Sequence, residues 1–261
     1  MSRRLTIALF AADYVGYQVC RRLLAEGNDV PVVVLPDDEE ALFRRETHGL
    51  FTGQDTRIVS FSGLHSSEGL REFTGLGVDL AILLWWPTII RQPLLDVVRR
   101  GFLNCHPSLL PYNRGKHYNF WNLVEDVPFG VSLHWVKPGI DDGAIAFQKP
   151  LAKNWEDTGE TLYLRAREAI IDLVLESFGR IQVGDIPAIE QDLARGSFHY
   201  AKELEPASHI HLDRTYTGRQ LINLLRARTF YPHPGCWFSE DGERYEIRIN
   251  IKKVMKFKTR S

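Results

Sequence analysis

Three apolar runs constrain this chain more than anything else in it: LTIALF at residues 5–10, VPVVVL at 30–35 and VDLAILLWW at 78–86. A strand with one wet face alternates apolar and polar residues, whereas VVVL and LAILL have no polar position at all. Strands of that kind are buried on both faces, as in a parallel sheet with helices packed above and below it. The intervening segments agree. GYQVCRRLLAEG predicts a helix with Val19, Leu23 and Leu24 on one face and Gly27 as its stop. PDDEEALFRRETHGL predicts a second, with proline and acids at its start and bases further on, an order that suits the helix dipole. RIVSF and a short helix near SSEGLREF complete the alternation. This βαβα order predicts a Rossmann-like, doubly wound α/β fold with a mainly parallel sheet.

Beyond Gly101 the pattern continues with FLNCH, a polar Pro/Gly loop and a short helix near HYNFWNLVE. Two strands follow, FGVSLHWV and AIAFQKPL, separated by the turn PGIDDG. Residues 158–178 predict one long amphipathic helix, with Leu162, Ala166, Ala169, Ile170, Leu173 and Val174 as its buried stripe and Asp157 or Thr158 as its cap. From about Glu205 the character changes to a short helix (GRQLINLLRAR), a Pro/Gly turn and a hairpin ending in YEIRINIK. The expected division is a catalytic domain over 1–204 and a small C-terminal module of helix plus β-hairpin over 205–261. The basic end KKVMKFKTR reads as a solvated tail.

Composition narrows the function classes. With 32 Lys+Arg against 33 Asp+Glu the formal charge is −1, which argues against nucleic-acid binding driven by global charge. VDLAILLWWPTII is too short to cross a bilayer and is broken by Pro87. The apolar stretch after Arg3 and Arg4 ends at Asp13 and reads as a first strand rather than a signal peptide. The three cysteines form no CxxC pair, and a reducing, cytoplasmic setting is expected. No GxGxxG or P-loop signals a dinucleotide or ATP. His209 with His211, and His233 with Cys236, are isolated pairs, so no metal is expected.

The chemistry concentrates in FLNCHPSLLPYNRGKHYNFW. If FLNCH is a strand, Asn104 and His106 share one face and Cys105 takes the other. Pro107 ends the strand, leaving His106 at its C-terminal end, where ligands bind in open parallel sheets. An amide beside an imidazole offers a donor to a developing oxyanion and a group that moves a proton. A carboxylate from PGIDDG would orient that histidine and favour its protonated form. A Ser108–His106–Asp141 hydrolase is a poor alternative, because Ser108 is two residues from His106 and there is no Gly-x-Ser-x-Gly elbow.

LNCHPSLLPYNRG followed downstream by Asp141-Asp142-Gly143 resembles the paired hallmark of the 10-formyltetrahydrofolate-dependent formyltransferases, Asn-x-His-Pro-Ser-Leu-Leu-Pro and Asp-x-Gly. The resemblance is good over roughly 75–150, including the strand GVSLHWV, and weak over the N-terminal strands. It implies Asn104, His106 and Asp141 as the catalytic set. It also implies a folate pocket from the chain after the fourth strand (Trp86, Thr88, Ile89, Ile90) and the loop before the aspartate (Val136, Gly139, Ile140). The bulky Trp85-Trp86-Pro87 departs from the family's smaller residues there.

Within the family, the glycinamide ribonucleotide branch carries a Gly-rich phosphate loop after its first strand; here that position reads FAADYVGYQ. The methionyl-tRNA branch ends in a larger basic β-barrel, for which only about 55 residues remain here. The resemblance therefore implies the branch that formylates dTDP-, UDP- or GDP-linked deoxyamino sugars for surface polysaccharides such as O-antigen lipopolysaccharide. RGKHYNFW and TGRQLINLLRARTFYPHPGCWF are similar to that branch. Arg114, Lys116 and His117 are the expected partners of the diphosphate, and Tyr231 or Trp237 of the base. The alternatives are a methionyl-tRNA or other small-amine formyltransferase and a non-catalytic sugar-nucleotide-binding protein. An exposed edge in the hairpin makes a homodimer an expectation.

Overall fold

A computed structural model of the protein describes residues 3–254. The strands are β1 (Ile7–Ala11), β2 (Val32–Leu35), β3 (Arg57–Ser60), β4 (Leu80–Leu84), β5 (Phe102–His106), β6 (Arg114–Gly115), β7 (Phe129–Trp135), β8 (Ile145–Leu151), β9 (Phe198–His199), β10 (Cys236–Glu240) and β11 (Glu243–Ile247). The helices are α1 (Asp13–Ala25), α2 (Arg44–Phe51), α3 (Ser67–Gly75), α4 (Leu94–Val97), α5 (Tyr118–Val124), α6 (Gly159–Gln182), α7 (Leu204–Ala207) and α8 (Gly218–Arg228). Seven strands form one sheet in the order β3-β2-β1-β4-β5-β7-β8. The pairs from β3 to β5 are parallel, while β5–β7 and β7–β8 are antiparallel. This is the doubly wound, mainly parallel architecture the apolar runs predict, with its strand order reversing beside β1.

Every residue of β1, β2 and β4 is buried, and the two faces feed different clusters. Ile7, Leu9 and Ala11 point with Ile82 and Leu84 into the cluster under α1, α5 and α6. Ala8 and Phe10 point the other way, with Val32, Val34, Phe73 and Phe102. Gly16 lets α1 lie close on the sheet, since a Cβ there would sit 2.7 Å from the Ala11 carbonyl carbon.

The helix expected over PDDEEALFRRETHGL is only the second half of that segment. Asp37 accepts the N–H of the distant Ser62 and Asp38 accepts the Glu40 N–H in a local turn, so neither side chain serves a first helical turn. Phe43 then takes a left-handed φ of 60° ahead of α2. At α6 the cap is Thr158, whose hydroxyl accepts the Thr161 N–H; Asp157 instead binds Arg165 at 2.7 Å. The helix runs one turn past the predicted end, because Phe178 and Ile181 are buried beyond the stripe.

α8 and the β10–β11 hairpin lie where expected. Ile210, Leu224, Ala227 and Cys236 join the same apolar cluster as Leu9 and Ile82. Most of the KKVMKFKTR tail lies outside the described residues. Among the described residues, no helix is long and apolar enough to cross a membrane.

Candidate active site

The site forms where β5 ends. Period-two geometry sends Leu103 and Cys105 into the core under α5 and α6, and Asn104 and His106 to the opposite face. Asp141 arrives from the turn between β7 and β8, with a left-handed φ of 53° that aspartate tolerates. Two fixings hold that turn. A Cβ on Gly143 would collide with the Trp135 carbonyl, and the Gln191 amide donates to the carbonyls of Asp141 (2.9 Å) and Gly143 (2.6 Å).

The three side chains predicted from the two motifs come together. His106 Nδ1 lies 3.3 Å from Asp141 Oδ2, and Asn104 Nδ2 donates to Asp141 Oδ1 at 3.5 Å. The Gly115 N–H donates to Asp141 Oδ2 at 2.9 Å. On its other side the His106 ring meets the Asn113 carbonyl at 3.1 Å through Nε2. The ring thus has an oxygen acceptor at each nitrogen, a backbone carbonyl at Nε2 and a carboxylate at Nδ1.

Burial is the strongest influence on His106 and pushes it below the ordinary imidazole value, against the opposing pull of Asp141. Burial would raise the Asp141 carboxyl, but His106, His134 and the Gly115 N–H outweigh it and hold it well below the usual carboxylate range.

His134 and Gln191 escaped the sequence reading. His134 is buried on β7, paired across the sheet with Asn104. Its Nδ1 meets the Trp135 carbonyl at 3.0 Å, and its Nε2 lies between Asn104 Nδ2 (3.2 Å) and Asp141 Oδ1 (3.4 Å), tying the amide to the carboxylate. The period-two spacing of Ser132 and His134 in a strand adjoining FLNCH was the available signal. Gln191 had none, being fifty residues downstream in an irregular segment. Ser108 gives no nucleophile, since its hydroxyl is buried and donates to the Tyr112 carbonyl at 2.7 Å.

Of the residues implied for folate, Trp86, Ile90 and Val136 belong to one apolar cluster below the β4 and β5 ends, while Thr88, Ile89, Gly139 and Ile140 are exposed around it. Trp86 is packed edge-on against Phe10 (5.3 Å) and Phe61 (5.1 Å). Its indole N–H and one Asp142 carboxylate oxygen are buried without partners. The orphan indole donor beside the apolar side chains of Ile90 and Val136 fits the polar edge of a flat heterocycle.

A cavity of about 540 Å³ opens beside the site. His117, Tyr118, Tyr163, Arg228, Phe230, Tyr231 and His233 are among its walls, and the Tyr118 ring is 6.3 Å from His106. Of the four residues expected to meet a sugar nucleotide, His117 and Tyr231 line this cavity. Arg114 and Lys116 do not; Arg114 is half-buried in β6 and Lys116 is exposed. Trp237 has both ring faces occupied, by His209 (4.0 Å) and the Arg244 guanidinium (4.1 Å). Among the described residues, no three His, Cys, Asp or Glu side chains gather as a metal site.

Fold and cluster together define a doubly wound α/β protein with an amide, an imidazole and a carboxylate converging at the strand ends. The sequence matches the family described as formyl transferase over residues 17–176, and an N-formyltransferase dimerization C-terminal domain over 203–253. The chain belongs to the formyl transferase family. A methionyl-tRNA formyltransferase of Symbiobacterium thermophilum is 30% identical over 203 residues, which is 77% of this chain; the chain spans 58% of that relative's length. A 4-N formyltransferase from Francisella tularensis has the same fold with a TM-score of 0.76 at 19% identity, covering 96% of this chain and 99% of that one. A formyltransferase from Anoxybacillus kamchatkensis, solved with UDP-4,6-dideoxy-4-formamido-L-AltNAc and tetrahydrofolate, has a TM-score of 0.55 at 25% identity, covering 75% and 97%.

Proposed function

We propose that this protein transfers a formyl group from 10-formyltetrahydrofolate to the amine of a nucleotide-linked deoxyamino sugar, with Asn104, His106 and Asp141 as catalytic residues. The observation that carries the reading is the convergence of those three side chains beside a cavity walled by aromatic rings and Arg228. Trp86, Ile90, Val136 and the unpartnered Asp142 oxygen would hold the folate, with Thr88, Ile89, Gly139 and Ile140 at its rim. The folate supplies an activated formyl carbon.

Asn104 turns one amide N–H from its long contact with Asp141 to the formyl oxygen, where negative charge develops. His106 Nδ1 takes the proton that the attacking amine loses as its bond to carbon forms. Asp141, 3.3 Å away, stabilises the resulting imidazolium. His106 then returns the proton to the nitrogen that leaves, so no net charge is created. Phe230 and Tyr231 offer stacking faces for a base and Arg228 a cation for the diphosphate.

The Anoxybacillus protein, which binds both a UDP-linked formamido sugar and tetrahydrofolate, supports this reading. The match over 203–253 supports a division near residue 204 and a homodimer built on the C-terminal part. The test is a screen by mass spectrometry of formyl gain across UDP-, dTDP- and GDP-linked amino sugars, with Asn104→Ala as the inactive control. Formylation of methionyl-tRNA with none on any sugar would replace this substrate with the other branch's. Ligand binding without transfer would leave a binding protein.

A further inference from the structure

The cavity beside the site is walled by three groups that carry or can take a positive charge: Arg228 at the end of α8, His117 ahead of α5, and His233 in the turn after α8. Among the described residues of that wall there is no aspartate or glutamate. Arg228 is buried, and its Nε finds no partner among the described residues. Glu205 meets its Nη2 only at 3.5 Å and lies closer to the exposed Arg244, at 2.7 Å. A guanidinium held this way keeps hydrogen-bonding capacity for an anion.

Both phosphates of a nucleotide sugar are esterified, so each carries a single negative charge at neutral pH. Among the described wall residues Arg228 is the one permanent cation, and it offsets only one of those charges. The other, left uncompensated against Tyr118, Tyr163 and Phe230, would be costly to desolvate. Two imidazoles could supply the missing cation. His233 is exposed, edge-on to Phe230 at 4.9 Å, where solvent and salt screen it. His117 is half-buried. Burial, then the charges of Arg228, Lys116 and His233, hold its ring below the ordinary imidazole value, against the pull of the Ala201 backbone. An anion arriving among those cations removes the repulsion that disfavours a charged ring.

We propose that the diphosphate of the nucleotide sugar sits between Arg228 and a protonated His117, so that acceptor binding draws a proton from solvent onto the His117 ring. This assignment rests on the nucleotide-sugar reading of the cavity. The proton returns to solvent when the product leaves, and no bond of the sugar nucleotide changes. The charged and titratable groups around His117 are Lys116, His233, Arg228 with Glu205 behind it, and the phenols of Tyr118, Tyr163 and Tyr231; Glu160 accepts the Tyr231 N–H at 3.4 Å.

The experiment is calorimetric titration of the full chain with UDP-, dTDP- and GDP-glucose, each in two buffers of different ionisation enthalpy. These probes have no amine and nothing that titrates between about pH 6 and pH 8, so any proton exchanged goes to the protein's own groups. The native protein should take up about 0.5–1 proton per ligand, and Kd should rise about threefold to tenfold from pH 7 to pH 8. In His117→Asn, whose side chain tolerates the left-handed φ of 58° at that position, uptake should fall below about 0.2 and Kd should lose its pH dependence. His233→Gln should keep the uptake, and Arg228→Gln should weaken binding at least about tenfold at every pH. Binding without proton exchange, or uptake that survives in folded His117→Asn, overturns the protonated clamp and leaves the proposed reaction standing. Uptake lost in His233→Gln instead moves the proton to His233 and equally overturns the role of His117. Should His117→Asn not fold, the native uptake and His117→Gln carry the same readouts. Failure of all three nucleotides to bind at about 1 mM removes the clamp together with the nucleotide-sugar reading.

Discussion

Replacing Asp141 with asparagine removes one charge and almost no volume, so it isolates what the carboxylate does for His106. When Nδ1 takes a proton, a unit charge forms 3.3 Å from Asp141 Oδ2. At an effective dielectric constant of about 20 that pair is worth about 5 kcal/mol. If proton transfer is half complete at the barrier, about half of this is felt there. The expected fall in kcat thus lies between roughly 70-fold and 5,000-fold. The asparagine oxygen can still accept the Gly115 N–H, which keeps the 113–115 segment in place. The same oxygen then faces Nδ1 without a charge, and the amide nitrogen takes the place of Oδ1 beside Asn104 Nδ2 and His134 Nε2. The assay is single-turnover formyl transfer from 10-formyltetrahydrofolate to the best sugar nucleotide found in the screen, at saturating concentrations of both. A variant that is folded, binds folate normally and turns over within fivefold of the native rate refutes the role given to Asp141.

Asn104→Ala should lower kcat by about 10²–10³ with little change in KM, because the amide serves charge that exists only at the barrier; a KM effect alone, read from steady-state kinetics, would move Asn104 to substrate binding. Stability should fall between about pH 7 and pH 5, seen as a falling Tm. Burial holds His106 and His117 below the ordinary imidazole value, so the unfolded chain binds more protons once pH drops past about 6.5. Asp141 adds a loss only in stronger acid, and a His106→Gln/His117→Gln double variant should flatten the slope above it. Thr158→Ala should cost about 1 kcal/mol in denaturant unfolding, since it removes one half of the reciprocal cap with Thr161. The thiols of Cys20 and Cys236, pushed up to about 12 by burial, and of Cys105, raised by the same cause, should stay unmodified by an aromatic disulfide reagent at pH 8 until the protein is unfolded.

The sheet was legible because burial on both faces leaves an unmistakable mark: VVVL and LAILL can be little else. Asn104, His106 and Asp141 were legible because strand periodicity and the two motifs fixed their faces and their ends. The first half of the α2 segment was misread because helix propensity counts Asp37 and Asp38 as good first-turn residues, while Asp37 is drawn to Ser62 by the tertiary path and Asp38 closes a turn onto Glu40. For His106, a neighbouring carboxylate can be inferred from sequence, but complete burial and a backbone carbonyl on the far nitrogen cannot. Gln191 acts through carbonyls fifty residues away, and no local pattern announces that.

The placement of Ile210, Leu224, Ala227 and Cys236 in the main apolar cluster bears on how such proteins can be recombined. A tail exchanged with a distant cousin would arrive carrying part of the interior, so chimaeras spliced at residue 204 would need the receiving surfaces of α5 and α6 rebuilt to match. Segment swapping is thus a repacking problem here, solved by transplanting complementary helix faces together with the donor's C-terminal stretch.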